Sequence, residues 1–379
     1  MEGAKIINKM RKISIITERR ADYSRFLPII KEIEKNDDLE YSLIVTGNHL
    51  MEKHGYTVEE IKKDNIKIDY TFEMFIDDED SGAGMSKALG IAINKLPDIL
   101  NDQKPDLILS GFDIAANLAI TIVGAHMNIP VFHIQGGEVT GTIDESIRHA
   151  MSKFAHYHFA ANEDACQRLI KLGEIPEHVF DVGCPSIDAL LNVKDDSTVL
   201  ERYNLTTPFF LVLQHPVTTE FGESESQIIE TLKAINEFEN YDSLFILPNN
   251  DAGHEKIIDN VKASERKYVD ALGIADYVNL LKRSSGLIGN SSSGIHETPT
   301  FNIPTINIGS RQSGRLRSNN VFDSNYNKDE IIKAINLAIN WQGSIADKVY
   351  GKGNSSSQIV KYIKELDISS NIIQKQITY

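Results

Sequence analysis

The sequence predicts an α/β protein built as two domains, each a doubly wound parallel sheet, with a cleft between them. Three observations predict it. Short apolar, β-branched runs alternate with amphipathic stretches along the chain, the rhythm of buried parallel strands and their crossover helices. Polar and glycine-rich residues gather just after those runs, where open parallel sheets bind ligands. The 379 residues exceed what one hydrophobic core normally serves.

The first domain is expected over residues 1–195, with residues 1–10 as a leader ahead of the first strand at 12–17 (KISIIT). A helix follows, with Ser24 as its N-cap, Phe26, Leu27, Ile29, Ile30 and Ile33 inward, and Pro28 in the first turn, where proline is tolerated. Strands are expected at 41–46, 106–110, 130–135, 157–161 and 178–182. Gly111-Phe112-Asp113 and Gly136-Gly137-Glu138 follow the strands at 106–110 and 130–135. Residues 193–197 (VKDDS) and 204–208 are polar or turn-forming and mark the linker. The second domain, 205–355, carries strands at 209–213, 243–247, 278–280, 286–288 and 304–308. Residues 356–379 form a C-terminal helix and tail, expected to pack back on the first domain.

Composition narrows the function. A net charge of −15 argues against nucleic acid and anionic membranes as partners. No apolar run is long enough to span a bilayer, and the N-terminus has no signal-type apolar core. Cys166 and Cys184 alone make no disulfide framework, so a cytoplasmic location is expected.

Residues 286–297 (GLIGNSSSGIHE) are the most informative stretch. A strand running through a Gly/Ser turn into a helix start makes an anion site, because the first N–H groups of a helix lack partners and the macrodipole favours negative charge there. The competing reading is an ordinary serine-rich turn with an N-cap. The expected cleft holds Arg20, Ser24, Asp113, Glu138 and Asp144 on one side, and His215, Asn249, Ser291, Ser292, Glu297 and Arg311 on the other. Residues 141–149 (GTIDESIRH) give Thr142 and Glu145 capping-box spacing and place Asp144 in a first helical turn, four residues before Arg148. Asp144 then serves the helix dipole or acts as an acid or base at the cleft mouth. His149, His156 and His158 have no carboxylate or cysteine at ligand spacing and read as core or surface histidines. His215 follows a strand end and precedes Pro216, which suits a cleft role. No dinucleotide fingerprint, Walker lysine or nucleophile elbow is present.

Several motifs coincide in order: RADYS at 20–24, HIQGGEVTGTIDESIRHAMSKFAHYH at 133–158, GCPS at 183–186, LQHPVTT at 213–219, PNNDAG at 248–253, GNSSSGIHE at 289–297 and INIGSRQSGR at 306–315. Together they closely resemble the hydrolysing UDP-N-acetylglucosamine 2-epimerases of sialic acid synthesis, including the epimerase half of the vertebrate bifunctional enzyme. The resemblance implies the glycosyltransferase-B architecture, two Rossmann-like domains with the nucleotide sugar between them. It also implies a homodimer or homotetramer without metal or redox cofactor. UDP or substrate binding falls on Arg20, Ser24, Gln135, His215, Asn249, Ser291, Ser292, Glu297 and Arg311. The implied reaction eliminates UDP to give a 2-acetamidoglucal, then hydrates it to N-acetylmannosamine.

The chain departs from that pattern. Phe112 and Asp113 stand where many members carry Asp-Arg, and Gln135 where members commonly have Glu. Of the carboxylates often assigned to catalysis, only Asp144 remains in register. Asp113, Glu138 and His215 are the replacement candidates. Alternatives are the same reaction on UDP-N,N′-diacetylbacillosamine, a glycosyltransferase of the same fold, and a UDP-sugar-binding protein without catalysis.

Overall fold

β1, Arg11–Thr17, carries Ile13, Ile15 and Ile16, all buried, and side chains that alternate in direction place them on both faces of a sheet. The computed structural model describes residues 10–75, 81–249, 251–345 and 348–378, so residues 1–9 of the expected leader and Asn250 of PNNDAG lie outside the described residues. The first sheet adds β2 (Leu39–Thr46), β3 (Tyr70–Phe72), β4 (Leu107–Gly111), β5 (Val131–Ile134), β6 (Tyr157–Ala160) and β7 (Val179–Asp181). All pairs are parallel, in the order β3-β2-β1-β4-β5-β6-β7. The second sheet contains β8 (Phe209–Leu213), β9 (Asp242–Ile246), β10 (Lys267–Val269), β11 (Leu287–Gly289), β12 (Thr305–Ile308) and β13 (Val321–Ser324), ordered β10-β9-β8-β11-β12-β13, again parallel throughout.

In each sheet the strand order reverses once, between β1 and β4 and between β8 and β11. Loops leave such a switch point in opposite directions and open a crevice at the strands' carboxyl ends. Glu18-Arg19-Arg20 and Phe112-Asp113 leave the first switch; Gln214-His215 and Asn290-Ser291 leave the second.

Helices cover both faces of the first sheet. Ile13 and Ile15 share a core with Phe26, Ile29, Ile30 and Ile33 of the helix Arg20–Ile33 and with Ile359, Val360 and Ile363 of the helix Ser355–Glu365. On the other face Ile16, Ile44 and Ile108 meet Ala88, Ala92, Leu96 and Leu100 of the helix Gly82–Gln103. In the second sheet Phe210, Val212, Ile288 and Ile306 pack with Ile228, Ile235, Ile331 and Ile335. Each such fully buried side chain contributes roughly 1.5–3 kcal/mol over exposure.

Several expected details change. The first helix begins at Arg20, not after Ser24. Its N-cap position is Arg19, and Asp22 in the first turn reaches back, its carboxylate accepting from the N–H groups of Glu18 (2.9 Å) and Arg19 (2.8 Å), while the Ser24 hydroxyl donates to the Ala21 carbonyl at 3.0 Å. Pro28 therefore lies inside the helix rather than in its first turn. Residues 278–280 belong to the helix Ile274–Arg283, and the strand of that unit is β10; a short apolar run fits a buried helix as well as a strand. The expected linker region contains the short helix Val199–Arg202, and the short helix Pro185–Leu191 precedes it. Asn279 pins the segment between them, accepting from the Asp196 N–H at 2.8 Å and donating to the Lys194 carbonyl at 3.0 Å. Among the described residues, no helix is long and apolar enough to cross a membrane.

Candidate functional site

Two adjoining cavities lie where the switch points face each other. They share walls formed by Arg19, Ala21, Arg25, His215, Asn249, Ser291 and Ser292. One cavity is largely apolar, with Leu213, Ile246, Leu247, Ile258 and Leu272 beside Arg20, Ser24 and Glu297. The other is polar and holds Asp113, Gln135, Glu138, Asp144 and Arg311. All the site residues singled out in the sequence therefore meet in one cleft, drawn from both sheets.

The second-sheet side is built on close backbone contacts. β11 ends at Gly289 with φ +135°, and a Cβ there would sit 2.1 Å from the Leu213 carbonyl oxygen, so only glycine lets the β8 and β11 ends approach. Asn290 is fully buried and clasps His215: its side-chain oxygen accepts from the His215 N–H at 2.7 Å, and its amide donates to the His215 carbonyl at 2.8 Å. Burial, then the nearby Arg311, lowers the His215 imidazole to about 3, so the ring is neutral at neutral pH. Its Nδ1 is buried without a hydrogen-bond partner among the described residues.

The helix expected after the serine turn is a single turn, Ser293–His296, followed by a 3-10 turn at Thr298–Phe301. So short a helix has little macrodipole, which removes that part of the anion-site expectation. Ser293 is committed locally, donating to Glu297 Oε2 at 2.7 Å and meeting the Tyr277 hydroxyl. Ser291 accepts from the Ser293 N–H at 3.3 Å while lining both cavities with Ser292.

The first-sheet side is charged and held in unusual backbone conformations. Phe112 and Asp113 have φ of +69° and +46°, and Gln135 has +59°. Non-glycine residues so placed cost roughly 1–3 kcal/mol each. Phe112 packs edge-on to Phe26 at 4.8 Å, and the Arg25 guanidinium lies 5.3 Å from its ring centre. Asp113 pairs with the buried Arg148, which also donates to the Glu138 carbonyl at 2.8 Å. Glu138 lies 3.3 Å from both His296 and Arg315 and accepts from the Gln135 amide at 3.2 Å. Burial pushes the Glu138 carboxyl up, but His296, Arg315 and Arg25 outweigh it and carry it down to about 2. Asp144 is a quarter exposed and stands 4.0 Å from Arg311.

The capping box expected at Thr142 and Glu145 does not close. Thr142 Oγ1 accepts from the Asp144 N–H at 3.3 Å, and Glu145 instead accepts from the Thr140 N–H at 2.8 Å. Arg148 pairs with Asp113 rather than with Asp144. His149 stands 3.7 Å from Glu145, His156 Nδ1 accepts from the Val131 N–H, and His158 bonds Glu174 at 2.9 Å. Among the described residues no cluster of three or more His, Cys, Asp or Glu is placed to hold a metal.

Residues 31–364 match the family model described as UDP-N-acetylglucosamine 2-epimerase. The chain belongs to this family. It is 33% identical over 374 residues to a UDP-N,N′-diacetylbacillosamine 2-epimerase (hydrolyzing) of Legionella pneumophila, covering 97% of this chain and 99% of the relative. It is also 33% identical over 364 residues to a UDP-N-acetylglucosamine 2-epimerase of Neisseria meningitidis, covering 94% and 95%. Among solved structures, the Methanocaldococcus jannaschii UDP-GlcNAc 2-epimerase in complex with UDP-GlcNAc and UDP superposes with a TM-score of 0.81 at 20% identity, over 93% of this chain and 99% of that one. The Neisseria meningitidis enzyme bound to UDP-GlcNAc gives 0.76 at 19%, over 94% and 100%. These likenesses establish the fold, two parallel α/β sheets of the glycosyltransferase-B type.

Within this epimerase-family cleft, sequence reasoning passed over Arg19, Arg25, Asn290 and His296. Arg19 is masked by its neighbour Arg20, which matches the RADYS motif. Arg25 reads as one more polar residue on a helix. Asn290 and His296 stand inside a singled-out stretch, but nothing in their spacing marks one as a backbone clasp and the other as a carboxylate's partner.

Proposed function

We propose that the protein is a hydrolysing 2-epimerase that converts UDP-N-acetylglucosamine to N-acetylmannosamine and UDP. The observation that supports this is the paired cavity itself. An apolar compartment with Glu297 suits a nucleoside. A serine-lined junction suits the diphosphate. A compartment lined by Asp113, Glu138 and Asp144, with Asp22 at its edge, suits proton transfer on the sugar.

In the first step a base removes the C2 proton. The C–H pair becomes the C1=C2 bond, and the C1–O bond breaks with its electrons leaving on UDP, giving a 2-acetamidoglucal. Water then adds its hydroxyl to C1 while C2 takes a proton on the opposite face. We assign the two proton transfers to Asp113 and Asp144, whose side chains keep 17% and 25% exposure, whereas Glu138 keeps 4% and is bound on three sides. Arg148 pairs with Asp113 and fixes where its carboxyl sits in the cavity wall. Glu138 anchors His296 and Arg315 against the cavity. Ser24, Asn249, Ser291, Ser292, Glu297 and Arg311 hold the nucleotide, and the neutral His215 offers its ring nitrogen at the junction. Arg20 is bound to Glu60 through Nε, 2.9 Å from Oε2, and Nη2, and its buried Nη1, without a hydrogen-bond partner among the described residues, is what it has left to offer the nucleotide.

The same chemistry on UDP-N,N′-diacetylbacillosamine is the second reading, favoured by the Legionella relative's near-complete coverage at the same identity as the Neisseria one. NMR in deuterated water separates these. UDP with C2-deuterated N-acetylmannosamine from UDP-N-acetylglucosamine establishes the first. UDP release only from the diacetylbacillosamine nucleotide establishes the second. UDP binding with no release from either sugar overturns catalysis.

A further inference from the structure

The two arginines that open the first helix face different fates. Arg20 is taken by Glu60 through both Nε and Nη2. Arg19, one residue earlier, lines both cavities. Among the described residues its ion pair crosses the cleft: Nη1 lies 3.2 Å from Oδ1 of Asp251, in the loop after β9, with 14% and 12% of the two side chains exposed. Among the described residues its Nε and Nη2 make no hydrogen bond, and they are not sealed from the cavity. Burial works against the guanidinium's charge, but Asp251, Glu18, Asp144 and Asp22 hold it protonated. Arg19 thus presents unused donors at the junction of the two compartments, beside His215, Ser291 and Ser292. If a nucleotide sugar spans the cavities, that junction is where the bond between sugar and diphosphate must lie.

We propose that Arg19 donates to the diphosphate of the bound nucleotide sugar, taking up the charge that develops on the leaving oxygen as the C1–O bond breaks, and that Asp251 holds it aimed there. This rests on the epimerase reading above and assigns a group to its leaving-group step. A planar guanidinium with one edge fixed by a carboxylate and the other open suits a phosphate oxygen. Its worth grows as negative charge builds in the transition state. With Arg311 reaching in from the second sheet, the diphosphate is gripped by one arginine from each sheet.

The test compares wild type, Arg19→Met, Arg19→Lys and Asp251→Asn. It measures affinity for UDP and for uridine by calorimetry, and UDP release from the active nucleotide sugar. Loss of one charge-assisted phosphate contact should weaken UDP about 10–100-fold in Arg19→Met. Uridine, which lacks the phosphates, should bind unchanged, and turnover at saturating substrate should fall about tenfold or more. Arg19→Lys should lie between, and Asp251→Asn, which keeps an oxygen to aim Arg19 but not the charge, should lose less UDP affinity than Arg19→Met. Unchanged UDP affinity in Arg19→Met overturns the proposal. So does an equal loss in Asp251→Asn, which would make the pair only a tie between the sheets. If Arg19→Met does not fold, the UDP-to-uridine affinity ratio of Arg19→Lys decides, and a wild-type ratio overturns it. Failure of the epimerase reading shows separately, as a wild type that releases no UDP from either sugar; the leaving-group role then falls with it.

Discussion

The two sides of the cleft are made differently. The second-sheet side is a backbone construction: Gly289 admits a close approach, Asn290 clasps His215, and the serines carry no charge. The first-sheet side is a charge construction, in which Asp113, Glu138, Arg148 and Arg25 sit around the left-handed residues Phe112, Asp113 and Gln135. The difference teaches a division of labour. A site that holds a nucleotide can be shaped largely by backbone contacts, with a single cation such as Arg311 set against the diphosphate. A site that moves protons needs ionised groups kept apart from water, and such groups are expensive to bury unless paired.

The largest expected effect breaks the two sides apart. Asp144→Asn should cost about two orders of magnitude or more in turnover, the range for acid/base groups, while UDP binds as before. A parallel loss of UDP affinity by calorimetry would show that the sides cannot be separated. Arg311→Ala tests the opposite side of that division and should weaken UDP by about 1–3 kcal/mol, as loss of a charge-assisted contact does. If its affinity stays at the wild-type value, Arg311 leaves the nucleotide site. Asn290→Ala sharpens the backbone half of the comparison. It strands the buried His215 N–H and carbonyl, so thermal and urea unfolding should report roughly 1–3 kcal/mol lost. A variant as stable as wild type would mean the clasp is dispensable.

The smallest effect is in the acid response of the charged side. Glu138 is lowered from 4.5 to about 2, so its paired carboxylate adds stability above pH 4.5 and loses it as pH falls through about 2. Wild type should therefore exceed Glu138→Gln in stability at pH 6, and the gap should close between pH 4.5 and 2. A gap constant across that range would remove the ion pair to Arg315 as its source, since His296, lowered to about 4, is neutral at pH 6. His215, lowered to about 3, should add no limb near pH 6.5 to the rate profile.

How much was legible follows the physics of each feature. Strand–helix alternation is local and strongly periodic, so both parallel sheets and the polar loops after their strands could be read directly. Residues 278–280 were misread because a short apolar segment has no period to choose by. The serine turn was legible as a turn, but the length of the helix behind it was not, because a single turn between two other turns is set by packing. Arg20 was legible as the matching arginine. Its pairing with Glu60, forty residues away, was not.

By itself the sequence determined the α/β class, the parallel sheets, the family and many, but not all, of the residues that meet in the cleft. Periodicity and motif order are written along the chain, and the carboxyl ends of parallel strands always share one side of a sheet. Only the tertiary structure decided which charges neutralise one another. Asp113 goes to Arg148, Glu138 to Arg315 with the neutral His296 ring beside it, and Arg20 to Glu60, while Arg19 reaches across to Asp251. Those pairings join loops tens to hundreds of residues apart, and their energies depend on distances of a few ångströms that no local pattern encodes.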